Sequence, residues 1–358
     1  MNRDCLKLTT YLGERDRTDG ALLADALMDV YERRGIQTSV LLRGTEGFGL
    51  SHRLQTQRLL SLSEDLPLIS VAVDERERIL ATVDEVVSIS GSGLVTLERV
   101  RMLSDGTAAT SLAENPDDAI KLTIYCARRD RIQGRAAHVA IVEMLHREGM
   151  AGATVLLGVD GTVGGSRQRA RFFARNAAVP VMIISVGDGS QAARMLPWLQ
   201  GALAETRITL ERVRLCKRDG RRLAAPPSLP EADRHGRRMW QKLMIYASEQ
   251  VTHEGNPLYV SLTRRLREQG AAGATSLRGM WGYHGDHRPH GDAFWSARRR
   301  VPVVTAVVDT PERVRRWYAV VDELTQEAGL VTSETVPAFR AATAGATEGD
   351  LRLAQEPW

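Results

Sequence analysis

The sequence predicts an α+β chain of three tandem units, each ordered β-α-β-β-α-β. Three observations carry this: an internal repeat, a change of hydrophobic period within each copy, and a composition that requires a buried core. The segments LKLTTYLGERDRTDGALLADAL from Leu6, IKLTIYCARRDRIQGRAAHVAI from Ile120 and QKLMIYASEQVTHEGNPLYVSL from Gln241 align without gaps. Counted from Lys7, Lys121 and Lys242, a tyrosine follows four places on in each copy, and glycines fall 13, 28, 37 and 40 places on. With 31 glycines in 358 residues, four such triple coincidences by chance are roughly a one-in-10⁸ event. Leu66-Pro67, Val179-Pro180 and Val301-Pro302 each precede an apolar run, and the copies close on GLVTLERV, TRITLERV and GLVTSETV. The units are placed at residues 1–104, 118–217 and 238–340, followed by a tail at 341–358, with linkers at 104–119 and 217–240.

In the first copy Leu6, Leu8, Thr10 and Leu12 alternate with Lys7, Thr9 and Tyr11, the period of a strand with one apolar and one mixed face. Leu23, Leu27, Val30 and Tyr31 then recur at helical spacing, and Gly35 stands where a left-handed helix cap is expected. A strand at Thr38–Arg43 leads into a glycine-rich loop. The apolar run after Pro67 suits a strand covered on both faces. A second helix from Asp74 presents Ile79, Leu80, Val83 and Val86, and a strand at Leu94–Val100 ends the unit. This order is the ferredoxin-like arrangement. Two helices cover one face of a four-stranded sheet, so the other face needs a neighbouring unit. Three units in one chain therefore predict an intramolecular pseudo-trimer, monomeric overall, with sheets inward and helices outward.

Hydrophobic residues make up 43% and charged residues 26% of the chain, the balance of a globular protein. Three cysteines without a CxxC spacing argue against a disulfide scaffold or a zinc ribbon and for a reducing compartment. No apolar run of membrane length and no signal peptide are apparent, so membrane insertion is not expected and the cytoplasm is. A net charge of +4 with 5% aromatic residues lacks the basic, aromatic-studded stripe of a nucleic-acid module.

The stretch Arg43-Gly44-Thr45-Glu46-Gly47-Phe48-Gly49 follows a strand, and its glycines let backbone amides approach an anion closely. It is neither a Walker loop nor a dinucleotide fingerprint. The other reading is that Gly44 and Gly47 supply backbone angles at a turn. The second copy has Leu157 in place of Arg43, and the third keeps Arg278 before Gly279 and Gly282. The third copy also crowds His284, His287 and His290 into seven residues, which reads as a metal site, an anion-binding loop or a plain solvated loop. Lys7, Lys121 and Lys242 with their tyrosines line a cavity or pack at the unit interfaces with each ammonium on a carboxylate or carbonyl. Glu64 and Asp65 point opposite ways along an extended chain and read as cap and turn chemistry. The tryptophans are expected in cores or interfaces, the cysteines as quiet thiols, and the linker at 217–240 and the tail as solvated segments. No nucleophile–base pair or hydrolysis motif is present, so no enzyme is predicted.

The segments KLTTYLGERDR, RGTEGFG, LPLISVAVDERERI and GLVTLERV of the first copy resemble the PII-like family known as domain of unknown function 190. The match spans the first copy and nearly all of the third, while the second lacks SEDLP and Gly-Phe-Gly. The resemblance implies ferredoxin-like units that trimerise, here fused into one polypeptide. It also implies ligand sensing, with an adenine nucleotide or other phosphate-bearing effector in clefts between units, and a mobile loop that touches a regulated membrane transporter or enzyme. On that reading Arg43, Gly44, Gly47, Gly49, Arg278, Gly279, Gly282, His284, His287 and His290 hold the ligand. The alternative is a metal-binding protein resembling the copper-tolerance proteins, with His284, His287 and His290 as ligands.

Overall fold

Strand and helix alternate as the hydrophobic periods require. The computed structural model describes residues 3–49, 54–56, 65–103, 119–170, 178–202, 207–285, 287–291, 301–343 and 345–355. The first repeat runs β1 (Arg3–Gly13), α1 (Leu23–Arg33), β2 (Thr38–Phe48), β3 (Pro67–Glu75), α2 (Arg76–Ser90) and β4 (Gly93–Met102). The second runs β5 (Ala119–Ala127), α3 (Ala137–Arg147), β6 (Gly152–Leu157), β7 (Thr162–Val163), β8 (Pro180–Asp188), α4 (Gly189–Ala202) and β9 (Arg207–Arg218). The third runs β10 (Trp240–Ser248), α5 (Leu258–Glu268), β11 (Ala274–Arg278), β12 (Trp281–His284), β13 (Pro302–Asp309), α6 (Pro311–Leu324) and β14 (Leu330–Val336), continued by β15 (Ala338–Ala342). In every repeat the first strand lies between the third and fourth, the second strand flanks the third, and all pairings are antiparallel.

Both faces of these sheets are buried, by different partners. Leu6, Leu8 and Leu12 turn to their own helices and pack with Leu27, Tyr31, Ile79, Val83 and Val86. Each such aliphatic side chain contributes about 1.5–3 kcal/mol on burial. Leu80, expected on that face, is 40% exposed; it follows Ile79 by one residue and so stands about 100° around the helix. The opposite sheet faces meet one another, bringing Val71 and Val73, Ile184 and Val186, and Met244 and Val304 of the three repeats into one central cluster.

Two sets of strand pairings stitch the repeats together. Residues 44–48 of β2 pair with Ala274–Leu277 of β11, β12 pairs with Gly152–Val155 of β6, and β7 with Asp160 reaches Thr38 and Leu41 of β2. The fourth strands do likewise: β4 meets β9 at Met102 and Thr209, the end of β9 meets β14, and β15 runs along β4 from Leu97 to Gly93. Sheet edges that would otherwise be bare are thereby covered.

Three expectations are corrected by these pairings. Gly44–Phe48 is strand, because the neighbouring repeat offers it a partner. The tail after residue 340 does not fray among its described residues: Leu351, Leu353 and Ala354 are buried, and Arg99 donates to the Ala354 carbonyl at 2.6 Å. The stretch at 217–240, expected to be a mobile solvated connector, is exposed over much of its length but anchored, since Gln241 donates to the Pro227 carbonyl and Tyr318 to the Ala224 carbonyl. The linker residues 104–118 lie outside the described residues, as do Glu64 and Trp295. Among the described residues no helix is long and apolar enough to cross a membrane.

The glycines that recur 37 and 40 places after each lysine sit where one backbone crosses another. A Cβ on Gly47 would stand 2.8 Å from the Ala274 carbonyl oxygen, and one on Gly44 would stand 2.6 Å from the Pro67 ring. At Gly282, with φ of +155°, it would press into the Ala153 carbonyl of the second repeat. Gly282→Ala and Gly47→Ala are each expected to cost about 1–3 kcal/mol. Gly49→Ala, whose Cβ meets nothing within 4 Å, should leave the urea midpoint unchanged. Equal midpoints for all three variants would refute this role of the seams.

Candidate functional site

The most unusual chemistry lies at the centre, where Lys7, Lys121 and Lys242 alternate with Glu98, Glu211 and Glu334 in a closed ring of buried ion pairs. Within each repeat the lysine on the first strand faces the glutamate on the fourth in register, at 3.1 Å for Lys7–Glu98, 3.2 Å for Lys121–Glu211 and 2.9 Å for Lys242–Glu334. Each ammonium also reaches the glutamate of another repeat: Lys7 that of the second, Lys121 that of the third, Lys242 that of the first. Burial opposes ionisation of Glu98 and Glu334, but the surrounding lysines outweigh it and hold both well below the usual carboxylate range, Glu334 at about 2. Burial likewise opposes charge on Lys121 and Lys242, and the glutamates raise both above the ordinary lysine value. The three carboxylates bring one oxygen each within 4.8 Å of one another. That spacing suits a cation, and the ammonium groups already fill the role.

A cleft of about 290 Å³ opens at the seam between the first and third repeats. Its walls include Tyr11, Gly13, Asp16, Phe48, Gly49, Gln55 and Ser92 from the first repeat, and Gly273, Thr275, Ala306, Val308 and Thr343 from the far side. Asp16 accepts the Gly13 amide at 2.7 Å, and burial followed by the neighbouring Asp65 raises its pKa. Burial also pushes the Tyr11 hydroxyl up to about 12. Of the residues expected to hold ligand, Gly49 lines the cleft, while Gly44 and Gly47 belong to the strand crossing beside it. Arg43 is tied to Glu14 at 2.9 Å, next to the lining residue Gly13, and Arg278 makes the equivalent pair with Glu249 at 2.5 Å. Gly279 and Gly282 make the corresponding crossing onto the second repeat, so no single cleft gathers all the expected residues.

The histidine segment is only partly convergent. His284 is buried on β12, and its ring meets that of His287 edge to face at 5.2 Å between centroids. His290 points its Nδ1 at the Arg288 carbonyl, 2.9 Å away. The thiols are quiet as expected: Cys5, Cys126 and Cys216 are buried and unbridged, and burial pushes Cys126 and Cys216 up to about 12. Trp240 and Trp317 fill cores.

The family model described as DUF190, Uncharacterized ACR, matches the chain three times, at residues 5–102, 119–215 and 240–338. The chain belongs to the DUF190 family. A UPF0166 protein of Aquifex aeolicus (strain VF5) is 32% identical to it over 94 residues, which is 26% of this chain and 88% of that protein. The DNA integrity scanning protein DisA of Streptomyces griseus is 28% identical over 168 residues, so the match spans 44% of each chain. Among solved structures, an aspartate kinase from Synechocystis aligns over 96% of this chain and 46% of its own at 10% identity and a TM-score of 0.26. An unknown protein from Galdieria sulphuraria aligns over 60% of this chain and 99% of its own at 12% identity and a TM-score of 0.19. Scores that low carry no argument about fold.

The three DUF190 matches coincide with the three sets of ring residues. Sequence reasoning placed the lysines at an interface and missed their glutamate partners, although Glu98, Glu211 and Glu334 stand in the aligned closing segments. Lys121→Met strands buried carboxylate charge and should cost about 3–5 kcal/mol, whereas Lys121→Met combined with Glu334→Leu recovers part of that loss. The linkage sign follows from depressed carboxylates: Glu334 contributes stability above its ordinary value of 4.5, and that contribution is lost as pH falls toward about 2. Lys121 and Lys242, raised in the fold, lose theirs only as pH rises through values above 10.5. Urea midpoints measured from pH 7 to pH 2 should fall more steeply for the native chain than for the double variant; parallel curves would discount the ring.

Proposed function

We propose that the protein is a non-enzymatic, PII-like binding protein, a fused pseudo-trimer of ferredoxin-like units that takes a small molecule in its inter-repeat seam and signals occupancy to a partner. The observation that carries this reading is the cleft between the first and third repeats. Its volume of about 290 Å³ is close to the lower end of small-ligand sites, about 300 Å³, and suits a nucleoside-sized body. Phe48, Ala306 and Val308 offer apolar surface for a flat ring, and Asp16, Gln55 and Thr275 offer hydrogen-bonding groups.

Among the described residues no lysine or arginine lines the cleft, which favours one orientation of an adenine nucleotide: base and ribose enter, and the phosphates stay at the mouth on the side of Arg43. Gly44 and Gly47 then shape the wall rather than cradle the anion. The strand crossing beside the cleft joins ligand to architecture, because filling the cleft braces the first repeat against the third. A regulated transporter or enzyme reading that seam is the partner class this proposal favours.

Thermal unfolding with adenosine, AMP, cyclic AMP and ATP tests the reading, since a ligand at 100 times its Kd stabilises the native state by about 2.7 kcal/mol. Adenosine and AMP are expected to raise the melting temperature, with ATP no better than AMP. Ser92→Trp, at the exposed edge of the cleft, should abolish the shift without lowering the ligand-free melting temperature. No shift with any of the four compounds, or an undiminished shift in Ser92→Trp, would overturn it.

A further inference from the structure

A second corner of the molecule has diverged toward different chemistry. We propose that Asp219, His284 and His287 form a binding site for a transition-metal ion of the zinc class, at the seam between the second and third repeats. This does not rest on the nucleotide reading. The corner corresponds by position to the first cleft. His284 stands 42 residues after Lys242, as Gly49 stands after Lys7, and Asp219 stands eight residues after Glu211, as Ala342 stands after Glu334. Gly49 and Ala342 both line the first cleft. The same corner that is open there carries an imidazole and a carboxylate here.

The buried imidazole nitrogen that faces Asp219 has no hydrogen bond. The His284 side chain is 8% exposed, and its Nδ1 has no hydrogen-bond partner, a costly state for a buried polar atom. That nitrogen faces Asp219 Oδ1 at 3.9 Å, too far for a hydrogen bond. Two ligands of a tetrahedral zinc ion, each bound at about 2.0–2.1 Å, stand roughly 3.4 Å apart, so closing by about half an ångström puts both on one ion. Asp219 is held at a backbone φ of +50°, and its carboxylate lies directly against Gly285, where any Cβ would overlap it. Glycine at 285 therefore admits the carboxylate beside His284.

His287 supplies the third ligand. Its ring already touches that of His284, and it is exposed, so it can rotate onto an ion from the solvent side and leave a fourth position open. Arg218 lies 3.6 Å from the other Asp219 oxygen, Oδ2, where it fixes the carboxylate without occupying Oδ1. The first and second repeats hold Gly49 and Val163 in place of His284, so the site belongs to the third repeat alone.

The test uses untagged full-length protein, stripped with chelator, desalted and titrated with zinc by calorimetry and with cobalt by visible absorption. One equivalent of zinc and an intense tetrahedral cobalt spectrum are expected. Asp219→Asn and His287→Ala, both at exposed side chains, should each weaken binding by at least about tenfold while leaving the metal-free melting temperature unchanged. His290→Ala should bind as the native chain does. Absence of zinc binding overturns the proposal, and so does native affinity in both the Asp219→Asn and His287→Ala variants.

Discussion

Six charges withdrawn from water hold this molecule to one arrangement. Each ammonium of the ring touches a glutamate of its own repeat and one of another, so no repeat satisfies its own lysine fully. Charges buried this way add little stability over a well-packed apolar core, because desolvation offsets much of their attraction. What they contribute is discrimination. Sliding one first strand by a single residue would turn its lysine to the helix side and an apolar residue to the ring, leaving a carboxylate uncompensated in the interior.

The apolar clusters around the ring are less selective, since valines and isoleucines accept many partners. The crossing strands supply the remaining constraint. Backbone ladders between repeats need close approach, and the glycines at 44, 47, 279 and 282 permit it. The ring and the ladders thus act at different radii, one choosing the register at the centre and the other closing the seams outside it. The cleft and the histidine corner are both by-products of this closure, spaces left where one repeat's strand extension passes its neighbour.

How much of this was legible depends on the range over which a signal acts. Strand and helix order was readable because periods of two and 3.6 residues are local, and Leu6, Leu8, Leu27 and Ile79 behave as that pattern requires. The ring lysines were readable as interfacial, but Glu98 pairs with a lysine 91 residues earlier, and a glutamate in a strand looks like surface until the facing sheet is known. Gly44 and Gly47 announced an unusual backbone; that the cause is another repeat's carbonyl rather than an anion was not local information. Leu351 and Leu353 were too thin an apolar signal to place the tail. Asp219 and His284 lie in different repeats, and only the fold brings them together.

The strand β15 completes the circle by lying on β4, joining the last repeat to the first. During synthesis domains fold in order from the amino terminus, so the first repeat leaves the ribosome long before residues 338–342 exist. Its β4 edge and its two of the six central charges, Lys7 and Glu98, must wait for the rest of the polypeptide. Until the carboxy-terminal strand docks, that edge offers unpaired backbone groups to any other strand that reaches it.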